Sequence, residues 1–308
     1  MRFSPDTPLK IGTRGSPLAL AQAHETRSRL MGALGLPETA FNIVVIKTTG
    51  DRVQDRPLGE IGGKGLFTKE IEDAMLSNDI DIAVHSMKDM PVAFPDGLML
   101  DCYLPREDVR DAFISRKYKS ISQLPKGAVM GSSSLRRRAQ LAAVRPDLKL
   151  VEFRGNVQTR LRKLDDGVAD ATFLAMAGLN RLGSADIANP IETDEILPAI
   201  AQGCIGIERR VDDADAAAAL ALIHDQDSGL RLNAERALLA GLDGSCQTPI
   251  AGLATLDGDT ITLRGEVLRP DGSESIKHMM TGAAKDGAKI GTDMAKILRD
   301  QMGENFFG

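Results

Sequence analysis

Several short apolar runs in this chain end in turns that carry cationic or hydroxyl side chains, and each turn is followed by a stretch of good helix formers. Arg14 and Ser16 follow Leu9-Lys10-Ile11-Gly12-Thr13, and Ser132-Ser133-Ser134 precede Arg136 and Arg137. Arg154, Gly155 and Asn156 follow Leu150-Val151-Glu152-Phe153, with Arg160 one helical turn further on. A helix start offers free N–H groups and the positive end of a dipole, which favours anions. Arginine adds planar paired donors suited to carboxylate or phosphate. Each such contact is worth roughly 1.5–3 kcal/mol. Arginines that converge repel one another unless a polyanion joins them, so the pattern points to a ligand with several acidic groups. No G-x-x-x-x-G-K-[ST] loop is present, and Gly62-Gly63-Lys64-Gly65 lacks the strand that a phosphate loop follows. Carboxylate and phosphate ligands both remain open on this pattern.

Two further residues could do chemistry. Asp89 sits in Ser86-Met87-Lys88-Asp89-Met90-Pro91, where an aspartate serves either as a fixed carboxylate or as a turn cap. Lys88 beside it reads as an anion contact rather than a Schiff-base lysine, and His85 as a hydrogen-bonding structural residue. Cys246 lies in Gly244-Ser245-Cys246-Gln247-Thr248-Pro249, whose polar neighbours suit an exposed, reactive thiol as well as they suit an inert one. Cys102 and Cys204 have apolar neighbours and read as buried. The three cysteines form no C-x-x-C pair and the four histidines no H-x-x-x-H pair, so no metal site is expected.

Composition bounds the class. At 308 residues, with 43% hydrophobic and 26% charged residues, the chain suits two or three globular domains. No apolar run approaches the roughly 20 residues of a membrane span, and Met1-Arg2-Phe3-Ser4-Pro5-Asp6 lacks a signal-peptide core. The expectation is a cytoplasmic protein that binds neither membrane nor nucleic acid. The net charge of −5 is unevenly spread. From Arg136 to Lys163 nine basic residues face two acids, a surplus of seven that leaves the rest at −12.

The elements that must position these groups alternate. Strands are expected at 9–13, 79–85, 128–131 and 150–153, with helices after Ser16-Pro17, Ser134 and Asn156. That order predicts α/β architecture with doubly wound, largely parallel sheets, whose ligand crevices lie beyond the carboxyl ends of the strands. Residues 49–64 read as a long mobile loop, followed by an amphipathic helix at 66–76. An acidic linker is expected at 211–227. Beyond it come a helix at 230–242, three strands at 250–255, 260–268 and 274–280 with turns at Asp257-Gly258-Asp259 and Pro270-Asp271-Gly272, and a helix from about 287 to 299. This last third predicts a small α+β domain with an antiparallel sheet.

Six segments in order resemble the porphobilinogen deaminase family along nearly the whole chain. They are Thr13-Arg14-Gly15-Ser16-Pro17-Leu18-Ala19, Gly62-Gly63-Lys64-Gly65-Leu66-Phe67, His85-Ser86-Met87-Lys88-Asp89-Met90-Pro91, Gly131-Ser132-Ser133-Ser134-Leu135-Arg136-Arg137, Arg154-Gly155-Asn156-Val157-Gln158-Thr159-Arg160-Leu161 and Gly244-Ser245-Cys246-Gln247-Thr248-Pro249. The resemblance implies two periplasmic-binding-protein-like domains, 1–104 with 203–222 and 105–202, plus a third at 227–308. It implies a monomer that condenses four porphobilinogen molecules, releasing ammonia each time, on a dipyrromethane cofactor joined to Cys246 by a thioether. By matching position Asp89 is the catalytic carboxylate. Lys88, Asp89, Ser134, Arg136 and Arg137 would hold the cofactor, and Arg14, Ser16, Lys64, Arg154, Asn156, Arg160 and Gln202 the substrate, with 49–64 as a lid. Departures are small: Ser132 stands where threonine is common, and Ala201 and Cys204 flank Gln202-Gly203. The competing expectation is an anion-binding module of similar fold without catalysis, for which the C-terminal domain would be superfluous.

Overall fold

The computed structural model describes residues 2–52, 68–245 and 248–307. These fall into two compact units, 1–107 with 204–229 and 108–203 with 230–308. The chain therefore changes units three times. The Ala201, Gln202 and Gly203 stretch, where Ala201 has φ 60° and Gly203 φ 87°, precedes one of these passages.

The first unit holds a five-stranded sheet in the order Phe41–Val45, Leu9–Thr13, Ile82–Ser86, Ile205–Arg210, Leu98–Tyr103. Leu9–Thr13 pairs parallel with both its neighbours, while Ile205–Arg210 runs antiparallel to both of its own. The sheet of the second unit repeats the plan in the order Lys149–Val151, Val129–Gly131, Ala171–Ala175, Asp111–Ser115, Asn189–Pro190, with Asp111–Ser115 antiparallel to its neighbours. Each sheet is thus mixed, and its opposed strand is the one the chain enters soon after passing from the other unit. The second unit also carries the expected antiparallel sheet, Ile250–Asp257, Thr260–Leu268 and Ser275–Ala283, covered by the Gly287–Gln301 helix through Ile290, Met294 and Leu298.

Two expectations change. Residues 211–227 are not a linker. Asp213 caps a helix, Ala214–Ala221, by accepting from Ala216 N at 3.0 Å. That helix buries Ala216, Ala219 and Leu220 in the same core as Leu9, Ile11 and Leu30. Its alanines are small enough to pack closely, which outweighs the acids along its exposed side. The stretch read as a loop from 49 opens with a helical turn, Thr49–Arg52. Thr49 donates its backbone N–H, at 2.8 Å, and its hydroxyl to Glu70, one residue into the Lys69–Leu76 helix. The remainder of the expected lid, Lys64 included, lies outside the described residues, as do Leu66 and Phe67 of the expected helix.

Candidate active site

In the first unit, Leu9–Thr13 and Ile82–Ser86 are parallel neighbours, so Arg14 and the Met87–Asp89 turn leave the same edge of the sheet. Ser16 caps the Pro17–Leu34 helix, its Oγ accepting from Ala19 N at 3.2 Å. Gln22 of that helix donates Nε2 to Ser86 Oγ at 2.8 Å. Met87 and Met90 are buried, and Met87 N donates to Cys204 O at 3.0 Å. Gly206 is required here, because a Cβ at that position would collide with Met87 Sδ. Between these apolar anchors Lys88 is half-buried and Asp89 exposed. Asp89 is therefore a solvent-facing carboxylate on a fixed turn.

Beneath this turn His85 Nε2 meets Glu208 Oε2 at 2.9 Å, with both side chains buried. Glu72, also buried, lies near them. Burial raises its pKa, and Glu208 raises it further. A carboxyl whose folded pKa exceeds its unfolded one costs stability as pH rises through the folded value. Removing one member of a buried pair strands the other. His85→Ala leaves Glu208 Oε2 without its buried hydrogen-bond partner and is expected to lower the unfolding free energy by about 1–3 kcal/mol in urea titration. A loss below about 1 kcal/mol would show a pair no stronger than a surface one.

In the second unit, hydroxyl and amide caps shape the two arginine-bearing helices. Ser134 Oγ accepts from Arg137 N at 3.4 Å at the start of Leu135–Val144. Asn156 Oδ1 accepts from Thr159 N at 2.9 Å at the start of Val157–Asp165. Gly155 before that cap has φ 121°, a backbone state that side chains other than glycine's rarely adopt. Arg136 and Arg137 project from the first helix into the interior, where Asp111 meets both. Asp111 Oδ2 lies 2.8 Å from Arg136 Nη2, and Oδ1 accepts from Arg137 Nη2 at 2.6 Å and Nε at 3.1 Å. Gln202 Nε2 donates to the same Oδ1 at 2.9 Å and to Val109 O at 2.8 Å. Arg160, half-buried, donates Nε to Gly155 O at 2.9 Å and reaches Phe173 O at 3.4 Å, the carbonyl that Arg137 also approaches.

Charge follows from this packing. Burial alone would raise the Asp111 pKa, but the two guanidiniums outweigh it and hold the carboxyl far below the usual carboxylate range. Burial, with Arg137 close by, lowers Arg160 to about 10, which leaves it cationic at neutral pH. Two buried guanidiniums share the Asp111 carboxylate, the buried Glu266 acts on Arg136 from further off, and Arg136 Nε has no hydrogen-bond partner among the described residues. A carboxylate-bearing ligand would supply what this donor set lacks.

The structure therefore gathers Arg136, Arg137 and Gln202 around one acid, with Arg160 beside them, and sets Arg14 and Ser16 on one sheet edge with Lys88 and Asp89. Gln202 is 1% exposed and lies behind the arginines. Part of the basic window is structural: Arg145 binds Asp147 and the carbonyls of Ile121 and Leu124, and Arg138 pairs with Glu152. Asp111, Glu208 and Glu72 escaped the sequence reading. The one local signal was an acid opening an otherwise apolar strand, Asp111–Ser115. Cys246 lies outside the described residues. Cys102 and Cys204 are buried, and burial pushes the Cys102 thiol up to about 12. Among the described residues no group of three His, Cys, Asp or Glu could hold a metal ion, and no helix is long and apolar enough to cross a membrane.

Residues 9–218 match the family model described as "Porphobilinogen deaminase, dipyromethane cofactor binding domain", and residues 230–300 match "Porphobilinogen deaminase, C-terminal domain". A protein of Paracoccus denitrificans named porphobilinogen deaminase is 71% identical over 304 residues, covering 98% of this chain and 97% of its own. One of the same name from Nitrobacter winogradskyi is 54% identical over 298 residues, covering 96% and 94%. Among solved structures, the methionine-binding protein MetQ is similar at 15% identity and a TM-score of 0.44, over 73% of this chain and 93% of that one. Lipoprotein Tp32 from Treponema pallidum gives 16% and 0.43, over 71% and 91%.

Proposed function

Because the chain belongs to the porphobilinogen deaminase family, we propose that it condenses four porphobilinogen molecules into the linear tetrapyrrole hydroxymethylbilane, releasing ammonia at each addition. The observation that carries this reading is the buried Arg136–Asp111–Arg137 cluster, in which two guanidiniums share one carboxylate. Porphobilinogen carries an acetate and a propionate, so it and any oligomer built from it are polycarboxylates.

Loss of ammonia from porphobilinogen leaves an electron-poor azafulvene whose ring nitrogen becomes positive. Asp89 is the carboxylate that stabilises this charge as it develops, which is electrostatic catalysis by a preorganised group. Its fixed turn between Met87 and Met90 supports that role, since a carboxylate already oriented has little reorganisation to undergo. Lys88, Asp89, Ser134, Arg136 and Arg137 would hold a dipyrromethane cofactor, with Cys246 joined to it by a thioether, and that group would supply the pyrrole carbon to which substrate is added. Arg14, Ser16, Lys64, Arg154, Asn156 and Arg160 are assigned to the acidic groups of incoming substrate, and Gln202, 1% exposed and bound to Asp111, would act on them only through the arginines. The residue ranges 1–104 with 203–222, 105–202 and 227–308 are the proposed domains of a cytoplasmic monomer.

The test is turnover. The purified full chain incubated with porphobilinogen is expected to release ammonia and form linear tetrapyrrole in a four-to-one ratio. Binding of porphobilinogen without ammonia would overturn the reading and favour a non-catalytic anion-binding module.

A further inference from the structure

We infer that Asp111 is a positioning residue, which fixes the directions of Arg136 and Arg137 so that they receive a ligand carboxylate. This rests on the reading that those two arginines hold carboxylates of the cofactor.

Asp111 is the first residue of the Asp111–Ser115 strand and is fully buried. Its backbone is locked by pairing with Ala175, and its side chain by three donors. Each guanidinium is held at two points. Arg136 has Asp111 on one side and Leu197 O on the other, at 2.8 Å each. Arg137 has Asp111 at 2.6 Å and Phe173 O at 3.3 Å. A free arginine has many rotamers to lose when it binds, and these two have lost them in advance. Gln202 in turn holds Asp111 Oδ1, through an amide that Val109 O also fixes.

The alternative role is plain charge neutralisation, which would require no particular geometry. The geometry opposes it. The contacts are atom-specific, Asp111 Oδ1 with Arg137 Nε and Nη2 and Oδ2 with Arg136 Nη2, on groups that are 4% and 6% exposed, and each guanidinium has a backbone carbonyl as its second anchor. Arg136 Nε, on a residue 4% exposed, is a donor without a hydrogen-bond partner among the described residues. Asp111 thus satisfies the inner faces of both guanidiniums and leaves their remaining donors for one further carboxylate.

The experiment compares Asp111→Asn, Asp111→Glu, Arg136→Gln and Arg137→Gln as full chains produced with porphobilinogen present. Three readouts are taken: circular-dichroism melting, intact mass for covalently bound dipyrromethane, and the separate values of kcat and KM. Asp111→Asn keeps the shape and removes the charge. Asp111→Glu keeps the charge and displaces it by one methylene. Both are expected to fold, to carry the mass increment in a minority of molecules, and to raise KM. The fall in kcat/KM should be about 100-fold, the usual cost of misplacing a binding group by an ångström. Loss of the increment in the arginine variants alone, with folded Asp111→Asn loaded and active as wild type, would overturn the inference and leave the arginine reading standing. Arginine variants that are fully loaded and active would remove that reading, and the inference with it. If neither Asp111 variant folds, Asp111 serves the core and the inference falls.

Discussion

An Asp89→Asn protein is expected to retain its cofactor and fold yet to turn over porphobilinogen about 100- to 1,000-fold more slowly, the range found when one preorganised electrostatic group is removed. The exchange alters no packing, because Asp89 is exposed while its neighbours Met87 and Met90 supply the buried contacts. Met90 N still donates to Met87 O at 3.2 Å, and Met87 N to Cys204 O, so the turn keeps its shape. The amide lacks the charge that would meet a cationic pyrrole nitrogen. That nitrogen is far more positive in the transition state than in the substrate, so kcat should fall while KM stays near its original value. Steady-state kinetics on a preparation whose intact mass shows full loading would check this. A kcat within a few-fold of wild type would take Asp89 out of the mechanism.

Cys246→Ala is expected to abolish both the covalent mass increment and the turnover. A thiolate attacks an electron-poor azafulvene readily, and the thioether formed resists hydrolysis, so the role requires an available thiol. The other two cysteines cannot replace it. Cys102 is 1% exposed and Cys204 2% exposed. Burial raises the Cys102 pKa to about 12, which leaves almost no thiolate at neutral pH. Their thiols are turned to carbonyls, Cys102 Sγ to Leu220 O and Cys204 Sγ to Leu104 O. Cys102→Ala and Cys204→Ala should therefore keep the increment. Intact mass spectrometry distinguishes the three variants, and an unmodified but fully active Cys246→Ala chain would end the thioether assignment.

What the sequence conveyed about this molecule divides by range. Ser16 was legible as a helix cap, and the serines 132–134 as a source of one, because a cap depends on residues three positions away; Ser16 and Ser134 accept such an N–H. The antiparallel meander was legible from its Asp-Gly turns. Asp111 was not, because its partners are 26 and 91 residues distant and its own neighbourhood resembles any surface acid beside a strand. The same holds for Glu208, which finds His85 across 123 residues. The acidic character of residues 211–227 misled for a different reason. Asp213 and Asp215 lie at the start of a helix, where they favour the dipole, and the alanines that bury it carry no strong hydrophobic signal. The basic window from 136 to 163 was visible as charge, yet only folding separates Arg145, fixed to carbonyls of Ile121 and Leu124, from Arg136 and Arg137, turned inward to Asp111.

The position of Ile205–Arg210 has a consequence for how the chain is made. This strand lies between Ile82–Ser86 and Leu98–Tyr103, so the first sheet is divided through its middle until residue 210 exists. Ribosomes add about 5–20 residues per second, so roughly 5–20 seconds separate the emergence of residue 107 from that of residue 210. During that interval two unpaired strand edges, one of them bearing Val84 and His85, stand open to other chains. The Asp89 turn is equally unfinished, since Met87 N has yet to meet Cys204 O. A nascent chain of this protein thus carries open β edges until residue 210 is made, and the Met87–Asp89 turn is among the last features of the first unit to form.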